Sequence, residues 1–200
     1  MHPVVSLLLA LSLAPLAAQD LTAGMPAPPL HINKWLKGEP VAAFAKDRVY
    51  VVEFWATWCG PCIDGMPHLS EVQKKNKDRL TVIGVTSEDE HNTLAAAEAM
   101  VKSKGESMGY TVAWDDGGKT NAAWFEASGQ DGIPCAFVVD GKGVLVWIGH
   151  PQWLDVVLPD VLAGKGDAEQ LAAKLKVIEQ RMMRIYLAAQ VKPETAVKEL

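Results

Sequence analysis

Residues 51–62 read VVEFWATWCGPC, and the interpretation of the whole chain starts from them. They continue an apolar, β-branched run, Arg48–Trp55, which is interrupted only by the acid Glu53 and predicts a buried central strand. Cys59 and Cys62 follow, with a Gly-Pro dipeptide between them. Such a pair can bind a metal, close a structural disulfide or exchange electrons, so the rest of the sequence has to discriminate between these uses.

The composition is typical of one compact domain with some appended structure. The chain has 200 residues, of which 49% are hydrophobic and 22% are charged, which is enough for a single core of ordinary size. Its formal net charge is -5, from 19 basic and 24 acidic side chains. This balance offers no sequence-wide basic surface, so we expect no nucleic-acid partner.

The N-terminus is typical of a secretory signal. Residues 4–18 are apolar apart from two serines and one proline, and small residues precede Gln19. The stretch is shorter than the roughly 20 apolar residues that span a membrane. We therefore expect a signal peptide at residues 1–18 and an extracytoplasmic protein, periplasmic or secreted. Because His2 stands where a signal usually carries Lys or Arg, an uncleaved N-terminal membrane anchor is the alternative.

Cysteine usage favours redox chemistry. Disulfides form and persist in an oxidising compartment, but the three cysteines of this chain cannot make two structural bridges. A metal site is disfavoured because only Cys135 and five histidines without ligand spacing accompany the pair. We expect neither a metal nor another cofactor.

Strands and helices are predicted to alternate along the chain. Strands are predicted at Arg48–Trp55, Leu80–Thr86, Tyr110–Trp114, Pro134–Asp140 and Val144–Gly149, and helices at Gly60–Asn76, Glu88–Lys104, Thr120–Ser128 and Trp153–Ala163. This order predicts an α/β fold with a partly parallel sheet between helices. Short apolar pieces within the Pro- and Gly-rich residues 21–46 suit a small N-terminal edge hairpin.

Residues 164–200 read as a C-terminal helical extension. Asp167, with Gln170 three residues later, forms a plausible N-terminal cap, and Pro193 ends the helix. The stripe along residues 167–189 either packs on the domain or contacts a second copy or another partner. Its apolar members are Leu171, Leu175, Ile178, Met182, Ile185 and Ala189.

The spacing of the cysteine pair suits a nucleophile and a resolving thiol. Cys59 falls at the start of a predicted helix, where free backbone N–H groups and the helix dipole favour a thiolate. Cys62 follows one turn later, within reach of a mixed disulfide on Cys59. Both parts of a thiol–disulfide exchange are therefore present.

The chain resembles the thioredoxin superfamily, and within it the TlpA/ResA-like extracytoplasmic thiol:disulfide oxidoreductases of the redoxin family. The resemblance rests on VVEFWATWCGPC, on Pro67 five residues after the second cysteine, and on GIPCAFVVDGKGVLVWIGH at residues 132–150. It covers about residues 24–163. It implies a thioredoxin-like domain at residues 19–163, with a central mixed sheet flanked by helices.

The resemblance implies a role for each residue around the pair. Cys59 would be an exposed attacking thiolate and Cys62 a buried resolving thiol. Trp58 would flank the pair and contribute to substrate binding. Gly60 and Pro61 would also contact the substrate, and this dipeptide resembles that of the strongly reducing members of the superfamily.

Further roles fall outside the WCGPC run. Pro134 would be a cis-proline facing the pair, and Ile133 would hold a substrate segment through its backbone. Glu53 falls where thioredoxins place a buried acid for proton transfer to the second cysteine, and burial would raise its pKa. Cys135 departs from the family pattern, since relatives usually carry Thr or another small residue there. We expect a small core residue, with an extra redox thiol as the alternative.

The predicted function is reduction of disulfides in exported proteins, with electrons supplied by a membrane-embedded donor. A thiol peroxidase is one alternative, although Ala56 stands where peroxidase-type sites on this fold usually carry Thr. A non-catalytic binding module that uses the C-terminal helix is the other.

Overall fold

The computed structural model describes residues 20–115 and 117–191. The expected signal peptide at residues 1–18 therefore lies outside the described residues, as does Pro193. No helix within the two described ranges combines the length and the apolar character needed to cross a membrane.

The described ranges form six strands and five helices. The strands are β1 (Lys34–Lys37), β2 (Val49–Phe54), β3 (Leu80–Ser87), β4 (Thr111–Asp115), β5 (Cys135–Val139) and β6 (Leu145–Gly149). The helices are α1 (Gly60–Asn76), α2 (Leu94–Lys104), α3 (Lys119–Trp124), α4 (Leu154–Leu162) and α5 (Ala168–Val191). Short 3-10 helices lie at Gly105–Met108, Glu126–Ser128 and Pro151–Trp153.

The six strands form one mixed sheet in the order β1-β4-β3-β2-β5-β6. Strands β2, β3 and β4 are parallel to one another, while β1, β5 and β6 pair antiparallel with their neighbours. This arrangement confirms the predicted α/β class. All six residues of β2 are buried, as expected for a central strand covered on both faces.

Alternation along β2 separates two hydrophobic cores. Val51 lies in the core that contains α1, α4 and the start of α5, whereas Val52 and Phe54 lie in a second core with Trp124. Because side chains two residues apart share a face of a strand, Glu53 points to the same side as Val51 and therefore towards α1.

The predicted N-terminal hairpin is wrong, because a single strand forms this edge of the sheet. Residues 29–32 and 41–44 form no strand, and β1 alone pairs with β4 at this edge. Leu30 and Phe44 from these two segments pack against the second core instead of pairing with each other. Prolines beside both segments lack the N–H that a strand ladder needs.

Helix α2 begins at Leu94 instead of the predicted Glu88. Residues 88–93 form a turn whose centre is the buried Asn92, which donates to Thr86 Oγ1 at 2.8 Å and to the Ser87 carbonyl at 2.6 Å. Thr93 then caps the helix by accepting from the Ala96 N–H.

Helix α5 packs on the domain through its first two turns. Asp167 Oδ1 accepts from the Gln170 N–H at 2.9 Å, as the predicted cap requires. Leu171 is 1% exposed and Leu175 packs against the first core. Lys174 Nζ donates to Asp160 Oδ2 at 2.6 Å. Further along the helix, large apolar side chains are exposed at Val177, Met182, Met183 and Leu187.

Candidate active site

The cysteine pair lies at the N-terminus of α1, directly after the central strand. Cys59 is the N-cap residue, and its Sγ accepts from the Cys62 N–H at 3.2 Å. The two cysteines form a disulfide. Pro61 lies in the first turn, where its missing N–H removes no helix hydrogen bond. When the disulfide is reduced, the free N–H groups of this turn stabilise a thiolate on Cys59.

Both sulfurs are enclosed, which corrects the expected exposure of Cys59. In this disulfide form Cys59 is 3% exposed and Cys62 is 2% exposed. The enclosure has a local cause, because Cys59 Sγ is bonded to Cys62 and lies 3.7 Å from the Ile133 carbonyl oxygen. The exposed group beside the pair is the Trp58 side chain, at 53%.

The Ile133–Pro134 peptide bond is cis and lies where the resemblance places it, against the pair. It immediately precedes β5, whose Cys135 is the register partner of Phe54 at the end of β2. Strand pairing therefore brings this bond and the start of α1 to the same edge of the sheet.

A cavity of about 350 Å³ adjoins Cys62 on the α1 face of the sheet. Cys62, Pro134 and Glu53 are among the residues that line it. Further polar side chains in the lining come from His68 on α1, His150 directly after β6 and Gln152. Cys62 and the buried acid Glu53 thus line the same space.

Glu53 has the properties of an acid that exchanges protons near neutral pH. Its side chain is 1% exposed, and Oε2 has no hydrogen-bond partner among the residues that the structure describes. Loss of solvation on burial raises the pKa of Glu53 from about 4.5 to about 8. A carboxyl group with this pKa can accept a proton from a neighbouring thiol and release it again.

Two histidines at the cavity were not recognised as site residues from the sequence. His68 Nε2 lies 3.0 Å from Asp155 Oδ2, and His150 Nδ1 accepts from the Gln152 N–H at 3.2 Å. No local motif relates them to Cys62. His68 lies further along α1, and His150 comes from a distant segment that tertiary packing brings to the cavity.

A second groove, of about 480 Å³, is lined in part by Ile133 and shares no lining residue with the first cavity. Trp58 lines it, and its Nε1 donates to Asp89 Oδ2 at 2.9 Å. Phe125 and Asp131 also line the groove. Asp89 was not predicted from the sequence; it holds the exposed indole beside the cysteine pair.

Cys135 lies on the other face of the sheet from the pair. It is 2% exposed and packs in the second core with Phe137, whereas Cys59 packs in the first. Burial, with a smaller contribution from the Glu53 charge, raises the pKa of Cys135 to about 12. These surroundings match those of a small core residue.

The fold and the dithiol define the class of this protein. It is a thiol:disulfide oxidoreductase built on a thioredoxin-like fold. The Redoxin family model matches residues 22–153, and the chain belongs to this family, with TlpA/ResA-like proteins of the thioredoxin superfamily as its relatives.

Curated relatives and solved structures agree with this assignment. The chain is 32% identical over 174 residues to Protein FixW of Rhizobium leguminosarum, covering 83% of this chain and 79% of that one. It is 31% identical over 160 residues to the thiol:disulfide interchange protein HelX of Rhodobacter capsulatus, covering 76% and 84%. A crystal structure of a thioredoxin-family thiol:disulfide interchange protein from Chlorobium tepidum superposes with a TM-score of 0.58 and 26% identity, covering 72% of this chain and 99% of that one.

Proposed function

We propose that the protein reduces disulfides in exported proteins. The observation that carries this proposal is the position of Cys62, which opens into a cavity shared with the protonatable Glu53, one helical turn from Cys59. The Gly60-Pro61 dipeptide between the cysteines, which resembles that of reducing members of the superfamily, supports the direction of transfer.

In the first step, the Cys59 thiolate attacks one sulfur of a substrate disulfide. The substrate S–S bond breaks, a mixed disulfide forms on Cys59, and the other substrate cysteine leaves as a thiolate that takes a proton from water. Trp58, Gly60 and Pro61 would contact the substrate at this stage. The Ile133 backbone and Pro134 would hold the attacked segment extended against Cys59.

In the second step, the Glu53 carboxylate takes the proton of the Cys62 thiol. The Cys62 thiolate attacks Cys59 Sγ, the Cys59–Cys62 disulfide forms, and the second substrate cysteine leaves as a thiolate. Two electrons have then passed from the dithiol to the substrate. A membrane-embedded dithiol donor would reduce the pair again and complete the cycle.

The proposal includes export. The apolar residues 4–18 support a signal peptide at 1–18, followed by the thioredoxin-like domain at 19–163 and the helical extension at 164–200. The protein would therefore act outside the cytoplasm, in the periplasm or after secretion. The alternative is that an uncleaved N-terminus anchors it to the membrane. The exposed apolar side chains of α5 support a homodimer or partner contact within residues 167–189, which sedimentation of the full chain tests.

The test is reduction and trapping of a defined disulfide substrate. The reduced protein is mixed with insulin, and the products are resolved by mass spectrometry. Wild type should release reduced insulin chains, whereas Cys62→Ser should accumulate a Cys59–insulin mixed disulfide. The matched variant Cys59→Ser should do neither. Consumption of hydrogen peroxide without reduction of insulin would overturn the proposal in favour of a thiol peroxidase.

A further inference from the structure

Gly84 on β3 lies directly beside Glu53 in the parallel register of β2 and β3. A Cβ at Gly84 would come within 3.0 Å of Tyr110 Cε2 and 3.2 Å of Trp55 Nε1. Two aromatic side chains therefore occupy the space that any larger residue at this position would fill. Because Gly84 has no side chain, the Tyr110 and Trp55 rings can pack over it, beside Glu53.

Each of these three neighbours carries a buried polar atom without a hydrogen-bond partner in the described structure. The atoms are Glu53 Oε2, Trp55 Nε1 and the Tyr110 hydroxyl. Buried polar groups are nearly always paired, so three unpaired atoms around one glycine need an explanation. Their capacities are complementary, since the carboxylate accepts, the indole N–H donates, and the phenol does both.

We propose that Tyr110 is a positioning residue for Glu53, and that its hydroxyl and the Trp55 Nε1–H hold the Glu53 carboxylate through one shared water. This water accepts from Trp55 Nε1 and donates to Glu53 Oε2, while the Tyr110 hydroxyl completes its hydrogen bonds. A buried water typically makes about three hydrogen bonds, which matches these three polar groups. The inference rests on the proposed role of Glu53 in the proposed function.

These hydrogen bonds matter because no Lys or Arg side chain among the described residues lines the cavity that Glu53 shares with Cys62. Hydrogen bonding to the carboxylate is therefore the available way to favour its charged form against the cost of burial. The titratable groups that face Glu53 or its cavity are Cys62 and His68 on α1, Tyr110 before β4 and His150 after β6, while Cys135 on β5 lies on the opposite face of the sheet.

The test is the titration of Glu53 in Tyr110→Phe, which removes the hydroxyl and keeps the ring. The Glu53 carboxyl is followed by carbon-13 NMR in the full chain without substrate. We expect its pKa to rise by about half a unit to one unit, because the water that donates to the charged form loses one of its hydrogen-bond partners. Trp55→Phe, which removes only Nε1–H among the polar groups, should shift the pKa in the same direction.

The matched control is Tyr50→Phe. Tyr50 is also buried, but it lies in the second core, and its hydroxyl accepts from the Ala45 N–H at 2.9 Å. This variant should leave the Glu53 titration unchanged, even if it changes stability. An unchanged titration in folded Tyr110→Phe and Trp55→Phe would overturn the inference, as would an equal shift in Tyr50→Phe.

The same variants separate this inference from the proposed function. The Glu53 titration needs no substrate, so a shifted pKa in a protein that fails to reduce insulin would support the inference and overturn only the proposed function. In an active protein, the midpoint of the pH profile of the resolving step should move upward in Tyr110→Phe together with the NMR titration. A structural role alone would change stability without moving either midpoint.

Discussion

Glu53 on β2 and Cys62 on α1 line the same cavity of about 350 Å³, on the face of the sheet that α1 covers. Neither side chain is more than 2% exposed. Strand β2 positions the carboxyl group and the first turn of α1 positions the thiol, so regular secondary structure fixes both groups. This arrangement supports the proposed transfer of the Cys62 proton to Glu53 across the cavity.

The rate of the resolving step should depend on Glu53. Since burial raises its pKa to about 8, the carboxylate that accepts the Cys62 proton forms as the pH rises through 8. The rate in wild type should therefore increase across this range. Glu53→Gln should lower it by about 100-fold and remove the inflection near pH 8. Rapid-quench analysis of mixed-disulfide decay from pH 6 to 9 measures both.

The control for this experiment is Glu71→Gln, since Glu71 is an exposed glutamate on α1. It should leave the rate and the inflection as in wild type. A Glu53→Gln profile that keeps its inflection near pH 8 would assign proton transfer to another group, with His68 and His150 as the neighbours to substitute next.

Burial of Glu53 should also make folding stability depend on pH. Its folded pKa of about 8 lies above the ordinary value of about 4.5, so its contribution to stability is fully present below 4.5 and is lost as the pH rises through 8. Glu53→Gln removes this loss. At pH 9 the variant should be more stable than wild type, by at most about 5 kcal/mol. Guanidinium unfolding of the disulfide form at pH 5 and pH 9 checks the sign.

Much of the fold was predictable because its core elements are carried by local patterns. Helix α1 spans the predicted Gly60–Asn76, since the cysteine run caps it and its apolar positions recur at helical spacing. The predicted start of α2 was wrong because the turn before the helix depends on hydrogen bonds of the Asn92 side chain. The N-terminal hairpin was wrong because its apolar side chains pack on the sheet face.

The candidate site was likewise predictable only in part. Glu53 and the cysteine pair stand in one continuous stretch, which is why sequence reasoning could single them out. His150 and Tyr110 come near Glu53 only through packing of distant segments, and a glycine at position 84 is what admits Tyr110. A single sequence without contacts carries no signal for such neighbours.

Cys135 should behave as a core residue in the redox reaction. Its thiol is buried on the face opposite the pair, and burial raises its pKa to about 12, so little thiolate forms near neutral pH. In Cys135→Ser, the reduction potential of the Cys59–Cys62 pair should stay within about 10 mV of wild type. A larger change, or a Cys59–Cys135 disulfide in peptide maps of the wild type, would make it a third redox thiol.

The start of α5 should contribute to the stability of the domain. Leu171 is 1% exposed in the first core, so Leu171→Ala should destabilise the protein by about 2–5 kcal/mol. The comparison is Val177→Ala on the same helix, where the side chain is 62% exposed and the change should stay within about 0.5 kcal/mol. Equal losses in chemical denaturation of the two variants would show that α5 is buried along its length, as in a dimer.

The central claim, that the Cys59–Cys62 pair acts as a reductant, is tested most directly by its reduction potential. The protein is equilibrated with glutathione and dithiothreitol buffers, and the fraction of disulfide is measured after acid quenching. We predict a value near the thioredoxin potential of about -270 mV. A value near about -120 mV, at the strongly oxidising end of the superfamily, would contradict the claim and make the protein a disulfide donor.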